Sequence, residues 1–161
     1  MIKTVSAVYF VALGLWVGGL ATLSFVVAPL LFKTDRPHAG VNFGTILRGF
    51  AWVEGVCAVL VVGGALMLQF HFGGRAGVAR VALSVLMALL FSIHAFGISP
   101  RIAAERSAIP DFQELAPGHP SRACFDSLHR WSVRVVGANI LLGFSLLALS
   151  AASLAASRPQ P

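Results

Sequence analysis

In 161 residues the chain carries 57% hydrophobic and 11% charged side chains, with a mean hydropathy of +0.84. Soluble domains carry about 25% charged residues, so a water-soluble globule is excluded, and the length suggests a single domain. The net charge of +6 does not point to nucleic acid, because Lys and Arg stand between the apolar runs rather than in a binding stripe.

A membrane-spanning helix needs about 20 mostly apolar residues. The first candidate, about residues 4–32, contains no Asp, Glu, Lys, Arg or His. It is too long for the apolar part of a signal peptide and is read as retained. The second runs over about 50–70, interrupted only by Glu54, and the third over about 81–98, with His94 inside it. The fourth covers about 135–156, with a possible helical lead-in from about 121, because Pro120 suits a first helical turn. The fold class is therefore all-α, a four-helix transmembrane bundle in a single domain over residues 1–161. The connections are read as polar loops over 33–49, 71–80 and 99–134, and the tail from Ser157 as frayed. Cys57 falls inside a helix and Cys124 near the surface, and two cysteines make no disulfide framework.

Small residues supply packing expectations. Gly14 and Gly18 form a Gly-xxx-Gly pair, and Ser84, Ala88 and Ser92, like Ala148, Ala152 and Ala156, recur at four-residue spacing. Such residues let helices approach closely in lipid. Leu15-Trp16-Val17-Gly18-Gly19 and Leu60-Val61-Val62-Gly63-Gly64 look alike, and packing patches explain them better than an ancestral duplication.

Depth counting gives the functional expectation. Glu54, His94 and Asn139 each lie about one turn inside their spans, roughly 6 Å below the surface. Alternating topology puts all three in the same leaflet, and the cost of exposing Glu or His to lipid turns them inward. His129, Arg130 and Arg134 stand just above. The expected site is thus a polar pocket of Glu54, His94, His129, Arg130, Arg134 and Asn139, with Arg130 or Arg134 as counter-charge to Glu54. Phe125, Leu128, His129 and Ser132 share one helical face, which can turn His129 inward. His94 and His129 are the candidate metal ligands, as axial ligands to haem b above all. No His-x-x-x-His, Cys-x-x-Cys or Cys-x-x-Cys-His motif accompanies them, so no resident cofactor is expected. No Gly-x-Ser-x-Gly, Walker loop or His-Glu-x-x-His motif is present, and a non-enzyme is expected.

Leu15-Trp16-Val17-Gly18-Gly19 followed by Pro29-Leu30-Leu31-Phe32 resembles the opening of the transmembrane protein 205-like family, and Phe125 to Arg130 with Ser132 and Asn139 resembles its fourth helix. The resemblance implies an uncharacterised four-helix multi-pass protein of a bacterial cytoplasmic membrane. It carries over no functional residue. The first helix is also similar to copper-resistance-type and haem-associated four-helix proteins, which often have a histidine early in that helix where this chain has Tyr9. The expected partners are the lipid bilayer and either the chain itself or a larger membrane complex, in a structural or accessory role. The alternative is haem or metal binding.

Four spans put both termini on one side. Loops one and three hold Lys33, Arg36, Arg48, Arg101, Arg106, Arg122, Arg130 and Arg134, whereas the other side holds Lys3, Arg75, Arg80 and Arg158. The excess of basic residues places loops one and three in the cytoplasm and both termini outside. A reporter fused after Pro161 should therefore be active only in the exterior compartment, and activity confined to the cytoplasm would reverse the orientation.

Overall fold

The computed structural model describes residues 1–36, 38–107 and 120–156. Among them are four long apolar helices and no strand: α1 (Ile2–Thr34), α2 (Ala39–Phe72), α3 (Gly74–Ser107) and α4 (Pro120–Ala156). Each packs on the next, and α4 closes on α1, so the chain forms an up-and-down bundle. Pro110, Pro117 and the tail from Ser157 lie outside the described residues.

The helices are longer than the apolar runs that reveal them. The 34 residues of α2 make about 51 Å of helix against a hydrocarbon core of about 30 Å. Residues 39–49, expected as polar loop, are helical, and so are 99–107 and the whole lead-in from Pro120. Hydropathy marks only the part of a helix that meets lipid, and the remainder continues into water. The first connection shrinks accordingly. Asp35 ties it together, its carboxylate binding His38 Nδ1 at 2.9 Å and Asn42 Nδ2 at 3.2 Å. The second, expected over 71–80, is a hinge at Gly73 and Gly74, whose φ values of 65° and 78° suit glycine.

The interior is a set of four seams with alternating three- and four-residue steps. Tyr9, Leu13, Trp16, Leu20 and Leu23 form the seam of α1, and Glu54, Ala58, Val61, Ala65 and Leu68 that of α2. In α3 it runs through Gly77, Arg80, Ser84, Met87, Phe91 and His94, and in α4 through Asn139, Gly143, Leu146 and Ser150. A 3.5-residue period is that of knobs-into-holes packing, which holds neighbouring helices near-antiparallel. The outer faces are just as apolar. Trp52 is 83% exposed and Phe70 89%, and their 18-residue separation corresponds to about 27 Å, the span of a bilayer core flanked by aromatic residues.

Two π-helical turns, Leu23–Val27 and Ile93–Ile98, interrupt α1 and α3. Each ends two residues before a proline, Pro29 and Pro100. Proline removes one backbone donor, and its ring crowds the carbonyl four residues back. The wider turns shift the pairing so that Ala28 N–H reaches Leu23 O and Ser99 N–H reaches His94 O. The disruption by Pro29 and Pro100 is thus taken up within each helix.

The small-residue expectation holds at Ser84, which is buried, and at Ala88, which packs against the core, but needs correction elsewhere. A Cβ added at Gly14 or Gly18 would meet nothing within 4 Å, and both glycines are exposed. Ser92, Ala148 and Ala152 are exposed too. The close approaches are at other glycines: Gly19 lies against Phe50, Gly64 against Tyr9, and Gly143 against Val17 and Met87. The two similar Gly-Gly pairs thus each present one glycine to an aromatic ring of the other helix. Replacing Gly143 with Leu should lower stability in detergent by about 1–3 kcal/mol through overpacking, while Gly18→Leu should leave the unfolding midpoint unchanged. The reverse ranking of the two melting curves would contradict this seam.

Candidate functional site

The bundle brings three of the six expected pocket residues into its interior and leaves three outside. Glu54 is 3% exposed, His94 7% and Asn139 3%. His129, Arg130 and Arg134 are exposed. His129 continues the line of the α4 seam, but there Phe125 is only half-buried, and the imidazole stacks on that ring at 6.1 Å. Arg134 falls between seam positions, and its guanidinium lies 5.3 Å from the centre of the Trp131 ring, a cation–π contact at the depth where long basic side chains reach for headgroups.

The expected counter-charge is therefore corrected. Glu54 accepts a hydrogen bond from Trp16 Nε1 at 3.0 Å, across the α1–α2 contact. Arg130 and Arg134 point outward and form no ion pair with it. The indole serves because it carries a donor on a large apolar body and so completes the seam while binding the carboxyl group. Trp16 also packs edge-on against Phe91 of α3, with centroids 6.2 Å apart.

His94 lies one turn beyond Phe91, in the π-helical turn of α3. Its Nε2 is 2.9 Å from Ser132 Oγ of α4. The face holding Phe125, Leu128, His129 and Ser132 does turn toward α3, yet it is Ser132 rather than His129 that arrives. Asn139 Nδ2 reaches the Met87 carbonyl at 3.4 Å, and its Oδ1 has no partner among the described residues. Glu54, His94 and Asn139 thus each bind a different neighbour. Among the described residues no group of three or more His, Cys, Asp or Glu side chains could hold a metal ion. Cys57 is buried and Cys124 exposed, both as free thiols.

A second polar layer, not anticipated from the sequence, lies toward the termini. Tyr9 OH and Ser150 Oγ are 2.8 Å apart, joining α1 to α4. Arg80 of α3 is 2% exposed and binds Ser153 through Nη2, while Ser84 Oγ donates to the Arg80 carbonyl at 2.8 Å. Arg80 counts as a loop residue when apolar runs alone define the span. The signal available was spacing: positions 80, 84 and 94 fit one 3.5-residue seam.

With this geometry in place, the chain is assigned to the family of domains of unknown function DUF4149, whose model matches residues 11–109, more than half of its length. The matched segment covers most of α1, all of α2 and all of α3. The transmembrane protein 205-like name suggested by short motifs is not the name of that model. No curated protein and no solved structure matches the chain.

Replacing Trp16 with Phe keeps the aromatic body and removes the donor to Glu54. It should cost about 1–3 kcal/mol, the price of an unsatisfied buried acceptor, whereas Glu54→Gln retains the Oε1 acceptor and should cost less. A double-mutant cycle between Trp16→Phe and Glu54→Leu should show coupling in thermal unfolding, and simple additivity would argue against the bond.

Proposed function

We propose that the chain is a non-enzymatic, structural or accessory membrane protein that packs against itself or a larger membrane complex. The observation that carries this reading is how Glu54, the only buried carboxyl group among the described residues, is used. It is tied to Trp16 within the core and holds α1 to α2. Tyr9–Ser150 and His94–Ser132 likewise join neighbouring helices. The groove between α1 and α2, lined by Val8, Val11, Leu15, Trp52, Val56 and Leu60, is apolar and open to the surroundings, the chemistry that receives another helix or a lipid chain. We place the protein in a bacterial cytoplasmic membrane on the resemblance to the transmembrane protein 205-like family, and loops one and three inside on the distribution of Lys and Arg. Kinship to the transmembrane protein 205-like proteins is part of this proposal and rests on residues 15–19, 29–32 and 125–130.

A second reading, haem b or metal binding at His94 and His129, draws on one contact. His94 is directed at Ser132, which lies three residues from His129 on α4. The two readings separate in one preparation. Gently solubilised protein should show no Soret absorption and should run in native mass spectrometry with a second copy or another membrane subunit. A Soret band lost in both His94→Ala and His129→Ala, with the bundle still helical by circular dichroism, would replace the accessory reading with the haem one.

A further inference from the structure

The four acidic residues among the described ones (Asp35, Glu54, Glu105 and Asp126) all belong to the half of the bundle that carries loops one and three. The opposite end, with the N-terminus and the Gly73 hinge, has Lys3, Arg75 and Arg80 and no carboxylate side chain among the described residues. Lys3 and Arg75 are exposed there. Arg80 is not. It sits six residues into α3, about 9 Å along the axis from Gly74, and is 2% exposed.

Its guanidinium is incompletely bound. Nη2 meets Ser153, but Nε and Nη1 are buried without a partner. The surrounding groups are neutral: Tyr9 and Ser150 bind each other, and Ser84 donates back to the α3 backbone. Gln69 Oε1, beside Gly77 one turn before Arg80, also lacks a donor, but a carboxamide carries no charge to offset a cation. The only ion pair among the described residues, His38–Asp35, is at the other end of the molecule. Arginine does not give up its proton in proteins, and a buried cation without a counter-charge is strongly disfavoured. Among the described residues no carboxylate neutralises it.

We propose that Arg80 is the centre of a binding site for a small oxyanion group, a phosphate or carboxylate, entering from the terminal end of the bundle. Nε and Nη1 donate to its oxygens, and the exposed Lys3 and Arg75 draw it inward. A phospholipid headgroup and a soluble anion present the same chemistry.

The test uses the full chain in phosphatidylcholine nanodiscs at constant ionic strength. One arm exchanges sodium chloride for sodium phosphate or sodium acetate, and the other replaces part of the lipid with phosphatidylglycerol. At saturation the wild-type unfolding midpoint should rise by roughly 5 °C in at least one arm. A rise with the salts alone identifies a soluble anion, and a rise with phosphatidylglycerol alone identifies a headgroup. Arg80→Gln should abolish the rise. If that variant does not fold, Arg80→Lys, which keeps the charge and loses the planar array of donors, should reduce the rise by at least half. No rise in either arm for the wild type, or a full rise in the folded Arg80 variant, would overturn the site.

Discussion

Lipid removes the usual reason for a helix to bury its apolar face, because the outside is as apolar as the inside. Everything in this bundle follows from that constraint. Shape and a few polar ties must do what the hydrophobic effect does in water. The shape is the 3.5-residue seam, with Gly19, Gly64 and Gly143 admitting side chains of neighbouring helices. The ties run between α1 and α2 at Trp16–Glu54, between α1 and α4 at Tyr9–Ser150, and between α3 and α4 at His94–Ser132 and Arg80–Ser153. The remaining adjacent pair, α2 and α3, is joined through the tight hinge at Gly73 and Gly74.

The ties sit in two layers separated by hydrocarbon side chains. Val61, Met87 and Leu146 are completely buried between them. The lower layer contains a carboxyl group and the upper one a guanidinium, and they do not neutralise each other. Glu54 lies 18 residues from the end of α2, about 27 Å, while Arg80 lies about 9 Å from the start of α3. Their separation along the bundle axis is therefore on the order of 18 Å, far beyond the reach of an ion pair. Each charge needs a local solution, and the two solutions differ in kind. An indole N–H from within the chain serves Glu54, whereas Arg80 has only a single hydroxyl partner among its side-chain contacts.

Much of this was legible in the sequence, for reasons that also define where legibility stopped. Four spans and their order follow from apolar runs that no soluble fold could hide. The inward direction of Glu54, His94 and Asn139 follows from the cost of exposing them to lipid. Neither argument assigns partners. Arg130 and Arg134 carry the obvious charge for Glu54, but a long basic side chain near an interface gains more by reaching headgroups than by entering the core. Trp16 has no charge to announce it, and its role depends on the relative rotation of α1 and α2. The seam itself was obscured because lipid-facing positions are as hydrophobic as packed ones. Gly14 and Gly18 show the consequence: the spacing of an interface motif is present on a face that this bundle leaves open. Arg80 was misplaced for a related reason, since a charged residue next to an apolar run reads as its boundary.

The π-helical turns before Pro29 and Pro100 also bear on how such a chain tolerates change in length. In an α-helix each residue subtends about 100°, so losing one residue swings all later side chains off their seam. A π-helical turn already holds one residue more than an α-turn in the same stretch of axis. Deleting a residue within Leu23–Val27 or Ile93–Ile98 would convert the wide turn to an ordinary one, leaving the rotational phase on either side largely intact. These two short stretches are thus places in the membrane-embedded helices where a single-residue deletion can be absorbed. Length variation among relatives would be expected to collect there, while the intervening seams keep a fixed count.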